Sequence, residues 1–467
     1  MSAANLSSPG RLVSAFVPRK RRGVELALLL LALILGVGSY ALVGIGVNGE
    51  VPTDIVAYGG GLVALAVLCH LVVRLRAPYA DPVILPCVIA LNGIGLAMIH
   101  RIDLGRVADD PQAHTYATQQ LLWTAVSVVG FCAALIALRD HRRLQGFTYS
   151  LGLAGIILLL LPLLPGLGVN INGARIWIHF LGLSFQPGEI AKLCLAVSFA
   201  GYLVIKRDAL ALAGHRFVGV DLPRGRDFGP ILLMWLVSLA ILVFQDDLGS
   251  SLLFFGLFVV LLYVATERAS WLVAGAALFG VGAYAGYLVF AHVQDRVEGW
   301  LHPFSDPDVF YQIIQGQYSL AWGGMLGRGW GEGSPQLTPY SWTDFIGTSL
   351  GEALGLTGLM ALIVIYGLIV ERGLRTALIC RDAFGKLMVV GLSVAFALQV
   401  FVVIGGVTRL IPLTGLTTPF MSYGGSSLVA NWVMMALILR VSNYARQPVP
   451  ELDQPQADDD TQVVKMR

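Results

Sequence analysis

Charge is what this sequence has least of. Asp, Glu, Lys and Arg make up 13% of 467 residues and nearly balance, leaving a net charge of +2. A soluble domain usually carries about twice that fraction, and nucleic-acid binding needs a basic surface that this balance does not supply, so no nucleic-acid partner is expected. Cysteine is sparse as well. Cys69, Cys87, Cys132, Cys194 and Cys380 lie in or at the ends of apolar runs without metal-ligand spacing. They read as buried, inert thiols, neither disulfides nor ligands. A cleavable signal peptide is not expected either, because the basic cluster Arg19–Arg22 precedes an apolar run too long for a signal core, which should remain as an anchor.

Apolar residues fill the space that charge leaves. They make up 56% of the chain, with a mean hydropathy of +0.74. Crossing about 30 Å of hydrocarbon takes roughly 17–25 apolar residues. Such runs can be drawn at Gly23–Val47, Asp54–Leu75, Pro82–Ile99, Leu121–Leu138, Phe147–Leu167, Ile190–Ile205, Phe228–Phe244, Ser250–Thr266, Trp271–Phe290, Leu350–Val370, Leu387–Ile404 and Met421–Leu439. The fold class is therefore all-α, a polytopic membrane helix bundle of about twelve transmembrane helices, with a short break at Gln245–Gly249.

An even number of spans puts both termini on one side. With the N-terminus cytoplasmic, about 24 of the 31 Lys and Arg fall on inside segments, as the rule of positive loops inside requires. That orientation makes the long polar interruption at 294–349 extracytoplasmic. It carries Asp295, Arg296, Glu298, Trp300, Asp306, Asp308, Arg328, Glu332, Trp342 and Asp344. The other outer segments, Arg101–Gln120, Gly168–Gly188, Gln245–Ser251 and Gly405–Tyr423, also combine Gly or Pro with charge and aromatics. Irregular backbone at membrane depth is tolerated where it is buried in protein or lines a wet cavity, and charge there is costly and usually functional or paired. One polar cavity opening outward is expected. A site on that side has no access to cytoplasmic nucleotides, so its substrate should arrive already activated and lipid-borne. Residues 1–22 read as a cytoplasmic tail, and 441–467, with Pro448, Pro450, Pro455 and the Asp458–Asp460 run, as a disordered acidic one.

Several motifs share these outer segments: FQPGEIAK at Phe185–Lys192, QDDLG at Gln245–Gly249, WLHPFSDP at Trp300–Pro307, TDF at Thr343–Phe345 with Gly351 and Glu352, and PFMSYGGSS at Pro419–Ser427. In this order they closely resemble the SEDS family, the RodA and FtsW polymerases that join lipid II into peptidoglycan outside the cytoplasmic membrane. The resemblance spans about 81–440. It implies a ten-helix core there, with 23–80 as an additional N-terminal hairpin.

The resemblance implies that Asp306, in the Asp-Pro pair, is the catalytic base taking the proton from the acceptor sugar hydroxyl. Partial burial raising its pKa would suit that task. It further implies substrate-binding roles for Trp123, Arg175, Glu189, Lys192, Asp344, Ser422 and Tyr423, and a divalent cation, Mg or Mn, near Asp247, with no organic cofactor. From the residues alone, Glu189 and Lys192 three positions apart also make an intrahelical ion pair, and Trp123 equally suits packing. Departures exist: Asp246 stands where the family has Pro, Ile176 where a second Arg is common, and the Pro339–Phe345 run lacks the usual Glu and His. The implied partners are lipid II, membrane lipids and a class B penicillin-binding transpeptidase. The implied activity is an inverting lipid II glycosyltransferase releasing undecaprenyl pyrophosphate, RodA-like by the 172–177 and 421–432 stretches. The alternatives are an FtsW-like division polymerase or a lipid II flippase.

Overall fold

Apolar runs without a polar face have one economical arrangement in lipid, the helix that satisfies its own backbone. The structure, a computed structural model, follows that rule. It describes residues 20–171, 174–180, 183–211, 215–217, 220–222 and 225–448. The first helices are α1 (Arg22–Asn48), α2 (Ile55–Arg76), α3 (Ile84–Asp109), α4 (Ala117–Ala137) and α5 (Thr148–Leu160), the last entered through a 3-10 turn at His141–Phe147. Next come α6 (Pro187–Ala211), α7 (Gly225–Phe244), α8 (Leu248–Thr266) and α9 (Ser270–Val289). Two shorter helices, α10 (Ala291–Leu301) and α11 (Tyr311–Gly323), lead to α12 (Ile346–Ile379), α13 (Ala383–Val407) and α14 (Gly425–Arg446). Among the described residues eleven helices are long and apolar enough to cross a membrane, and Gly229–Phe244 within α7 is a shorter apolar one. The acidic tail beyond Pro448 and the N-terminal residues before Lys20 lie outside the described residues.

Burial sorts the bundle. In α3 and α14, 89% of the apolar window is buried within the protein, whereas in α9 it is 6%, so α3 and α14 form the centre and α9 lies on the lipid-facing rim. α1 crosses α3 at Gly36 and Gly93, where a Cβ on Gly36 would come 3.0 Å from the Gly93 Cα. Small residues at a crossing let two membrane helices pack backbone to backbone.

Two elements depart from the sequence expectation. The outer segment 168–188, expected to be irregular, contains an antiparallel three-stranded sheet of β1 (Gly168–Ile171), β2 (Ala174–Phe180) and β3 (Leu183–Phe185). A ribbon of β4 (His215–Phe217) and β5 (Val220–Leu222) joins α6 to α7. Strands this short give a period-two signal that neighbouring membrane runs mask.

The span expected from Leu350 begins instead at Ile346 and is broken at Gly355, with φ 70° and ψ −174°. The segment 324–329 seals the break. Leu356 and Thr357 N–H donate to the Gly324 and Met325 carbonyls at 2.9 and 3.1 Å, and Arg328 and Gly329 N–H donate to Glu352 and Ala353 at 3.0 and 2.9 Å. A Cβ on Gly355 would collide with the Gly327 backbone. Only glycine combines that φ with so close a neighbour.

The chain alternates between two ends of the bundle. At the loop end, the end of α1 meets the large loop: a Cβ on Gly46 would lie 2.7 Å from the Gly331 Cα. The Arg101 guanidinium of α3 donates to the Gly331 and Gly333 carbonyls of the same stretch of loop. At the basic end, the Asp81 carboxylate accepts from Arg446 at 2.8 Å and Arg440 donates to the Arg76 carbonyl at 2.6 Å, closing α14 against the α2–α3 connection.

Candidate functional site

Pro187 starts α6, and one turn later the helix carries Glu189 and Lys192, both buried. The Lys192 Nζ lies 2.7 Å from Glu189 Oε2 and 2.7 Å from Gln399 Oε1 of α13. Gln399 Nε2 donates to the Thr417 carbonyl at 3.0 Å, the Thr417 hydroxyl to Ser427 at 2.8 Å, and Asn431 of α14 donates to the Ser427 carbonyl at 2.8 Å. Buried ions are kept when every lone pair and proton has a partner, and this chain of polar groups supplies them from three helices. The cavity bordering Glu189, Lys192 and Gln399 amounts to about 10 Å³, close to the least that holds one water.

A second group surrounds Arg296. Asp247, buried, caps α8 by accepting from Ser250 N–H at 2.9 Å. Burial pushes its carboxyl above the usual range, and the Ser250 hydrogen bonds, then Arg296, pull it part of the way back. Asp344 behaves alike: burial raises it, while the Thr343 hydroxyl, donating at 2.7 Å, and Arg296 lower it. The Arg296 guanidinium donates to the Leu413 carbonyl at 2.9 Å, and burial lowers its pKa against the opposing charges of Asp247, Asp344 and Asp246. Asp246, in a left-handed conformation, faces His292 at 3.5 Å. Asp247 therefore has an arginine for its counter-charge and one oxygen engaged in capping. Among the described residues no set of three carboxylate, His or Cys donors gathers on it. An ion held by one or two carboxylates, waters and a substrate diphosphate needs no such set.

The PFMSYGGSS loop forms the third wall. Ser422, buried, donates to the Thr343 carbonyl and accepts from Thr418 N–H at 2.8 Å, which ties the loop to Asp344 through Thr343. Tyr423 N–H donates to Trp342 O at 2.7 Å and its hydroxyl to Gln119 at 2.6 Å. Tyr116 stacks on Trp342, with centroids 4.8 Å apart, and Arg106 covers both rings. Trp123 of α4 packs its ring on Gly425 at the start of α14, where a Cβ would collide with it.

Asp306 and Arg175 stand apart from these groups. Asp306 is exposed on the turn between α10 and α11, and its Oδ1 accepts from Val309 N–H at 3.2 Å. Pro307 and the following turn carry the carboxylate outward. Among the described residues no hydrogen bond or ion pair joins Asp306 to Glu189, Lys192 or Asp247. Arg175 is exposed on β2, and its N–H anchors the sheet to the Gln245 carbonyl at 3.2 Å. α10 is docked by a reciprocal clasp. Trp300 Nε1 donates to the Arg409 carbonyl at 2.9 Å, and the Arg409 guanidinium donates to the Trp300 carbonyl at 2.7 Å.

Three participants were missed in the sequence. Gln399 and Asn431 are amides inside apolar spans, a costly placement that could have marked them. Arg296 is one of several loop charges, and nothing in the sequence alone distinguishes it.

A helix bundle with a broken helix, a buried charge network and one polar end defines a polytopic membrane protein with its working surface at that end. The family model for FtsW, RodA and SpoVE, described as cell cycle proteins, matches residues 82–447, and the chain belongs to this family. α1 and α2 precede the match. The chain is 47% identical over 431 residues to the peptidoglycan glycosyltransferase RodA of Mycobacterium tuberculosis, covering 92% of each protein. It is 31% identical over 379 residues to an FtsW of Trichlorobacter lovleyi, covering 79% of this chain and 95% of that one. A chain from the solved structure "Structural coordination of polymerization and crosslinking by a peptidoglycan synthase complex" superposes with a TM-score of 0.61 at 28% identity, over 79% of this chain and 99% of that one.

Proposed function

We propose that this protein is a RodA-type peptidoglycan glycosyltransferase that polymerises lipid II into β-1,4 glycan strands for cell elongation, releasing undecaprenyl pyrophosphate. The observation that carries the reading is the placement of Asp306. An accessible carboxylate tops a loop that is clasped to the bundle by Trp300 and Arg409, on the same end as every motif segment. Inversion at the anomeric carbon needs the base and the leaving diphosphate on opposite faces of the sugar. Asp306 takes the acceptor hydroxyl proton. Arg175, exposed on β2, offsets charge on the departing diphosphate, with Lys192 behind it. Glu189 holds Lys192, and Trp123, Asp344, Ser422 and Tyr423 shape the wall between them. No step is routed through a metal at Asp247.

The protein lies in the cytoplasmic membrane with its loop end outside. About 24 of 31 Lys and Arg then fall on the inside segments, and the donor must be lipid-linked. The higher identity to RodA, 47% against 31% for FtsW, favours elongation over division. A class B transpeptidase is the partner. An apolar groove of about 870 Å³ runs along α12 and α13 past Ile363, Tyr366, Val370, Ala397, Phe401 and Ile404, and it suits the single membrane helix of such a protein. The deciding experiment gives purified protein, with its partner, lipid II and analyses the product for glycan ladders. An absence of ladders from a folded complex overturns the reading.

A further inference from the structure

At the basic end, away from the polar loop, three side chains that polymerisation leaves unused come together. His141 opens the 3-10 turn before α5, and Cys380 and Asp382 flank the junction of α12 and α13. The His141 ring is fully buried, and its Nε2 lies 2.8 Å from Asp382 Oδ2. One ligand atom from each of the three lies within 4.8 Å of the others. Gly385 marks the centre of the group. A Cβ built on it would sit 2.6 Å from His141 Nε2, 2.9 Å from Asp382 Oδ2 and 3.0 Å from Cys380 Sγ. The three donors thus face one another across the side of Gly385 that carries no side chain, and Asp382 Oδ2 also accepts from Gly385 N–H at 2.7 Å, capping α13. The second ring nitrogen, His141 Nδ1, is buried without a hydrogen-bond partner, and Asp140 Oδ1 lies 3.7 Å from it. A carboxylate behind the distal nitrogen is how metal-binding histidines are usually oriented.

We propose that His141 Nε2, Cys380 Sγ and Asp382 Oδ2 bind one zinc-class divalent ion at the point beside Gly385. The donor set chooses the ion class: magnesium and calcium take oxygen ligands, whereas mixed imidazole, thiolate and carboxylate donors suit zinc and its borderline neighbours. Metal–ligand bonds of about 2.0–2.3 Å put tetrahedral donor atoms roughly 3.3–3.8 Å apart, so His141 Nε2 and Asp382 Oδ2, 2.8 Å apart without the ion, separate on binding. Cys380 and Asp382 are partly exposed, so a water completes the fourth position. On binding, the Cys380 thiol gives its proton to solvent and becomes a thiolate. The Nε2 proton leaves to solvent, Nδ1, 3.7 Å from Asp140 Oδ1, takes one up from solvent, and no electron is transferred. The ion pins the α12–α13 turn to the turn before α5, beside the Tyr444 ring 5.0 Å from His141. This site does not depend on the polymerase reading.

Cobalt(II), a spectroscopic stand-in for zinc, tests it on the full chain in detergent, after chelation and removal of the chelator. The expected result is a saturable thiolate-to-cobalt charge-transfer band at one equivalent, bleached by one equivalent of zinc. Cys380→Ser should abolish the band, and His141→Gln should weaken binding at least tenfold. Gly385→Ala puts a methyl within 2.6–3.0 Å of all three donors, so it should displace them and abolish the band, with the unfolding temperature read alongside. Should the His141 variant fail to fold, the band in the wild type and its loss in the other two still decide. Absence of a saturable band in the wild type means that His141 only hydrogen-bonds Asp382, and it overturns the proposal. So does a band that survives Cys380→Ser, since the ion then sits elsewhere.

Discussion

The Lys192 ammonium lies 2.7 Å from both the Glu189 carboxylate and the Gln399 amide oxygen, with all three side chains buried. Removing one partner of a buried ion pair costs about 3–5 kcal/mol, more than the pair itself contributes, because the other charge is stranded. Lys192→Met should therefore lower the thermal unfolding temperature sharply, and Glu189→Gln combined with it should recover most of the loss. If polymerisation in the folded fraction also slows beyond any change in lipid II affinity, Lys192 stabilises the transition state. Normal turnover in that fraction would leave it a structural ion.

Asp306→Asn should abolish glycan synthesis without changing stability, since the carboxylate is exposed and its one bond, to Val309 N–H at 3.2 Å, survives in the amide. A ladder assay beside a melting curve separates the two effects. Ladders at the wild-type rate would remove Asp306 from the chemistry.

Arg296→Met should destabilise the loop end in a pH-dependent way. Burial already raises the Asp247 and Asp344 carboxyls, and Arg296 restrains both. A carboxyl whose folded pKa is raised holds its proton more tightly in the folded state. Its contribution is full below the ordinary value of about 4 and is lost as pH rises through the raised value. Without Arg296 those values climb further, so the deficit against wild type should be larger at pH 8 than at pH 5, about 1–3 kcal/mol at the upper end. Unfolding followed by tryptophan fluorescence at the two pH values reads it. An equal deficit at both would show that the lost bond to Leu413, and not charge, was responsible.

Gly355→Ala should cost about 1–3 kcal/mol for the left-handed φ alone, plus the collision with Gly327. Limited proteolysis is expected to cut near 324–329 faster in the variant, because that segment's backbone bonds are made to the broken helix.

Ser334→Cys should react with a membrane-impermeant thiol reagent added outside the cytoplasmic membrane, and Arg143→Cys should not. The reverse pattern would put the loop end in the cytoplasm and remove the argument for a lipid-linked donor.

The spans were legible because length and hydropathy decide membrane crossing almost without reference to neighbours. The short break at Gln245–Gly249 was readable too, whereas the capping of α8 by Asp247, expected beside a cation, was not foreseen. Asp306 stood out because an Asp-Pro pair in a polar loop recurs in a known family. What stayed hidden was tertiary. The partnership of Gln399 with Lys192 crosses 207 residues, and that of His141 with Asp382 crosses 241, so no local spacing announces either. The sheet at 168–185 was missed for the opposite reason, since three to seven residues per strand are too few to outvote adjacent membrane runs.

The contact between Gly46 and Gly331 changes what the first two helices are. A Cβ on either glycine would strike the other's backbone, and the next carbonyls along the loop are held by Arg101. The stretch around residue 331 is therefore gripped from two sides, by α1 and by α3. The leading hairpin works as a gusset: it braces the very loop that carries Asp306. Trimming the chain to the residues that the family model matches, 82–447, would unfasten one side of that brace, so the hairpin and the loop form a single mechanical part.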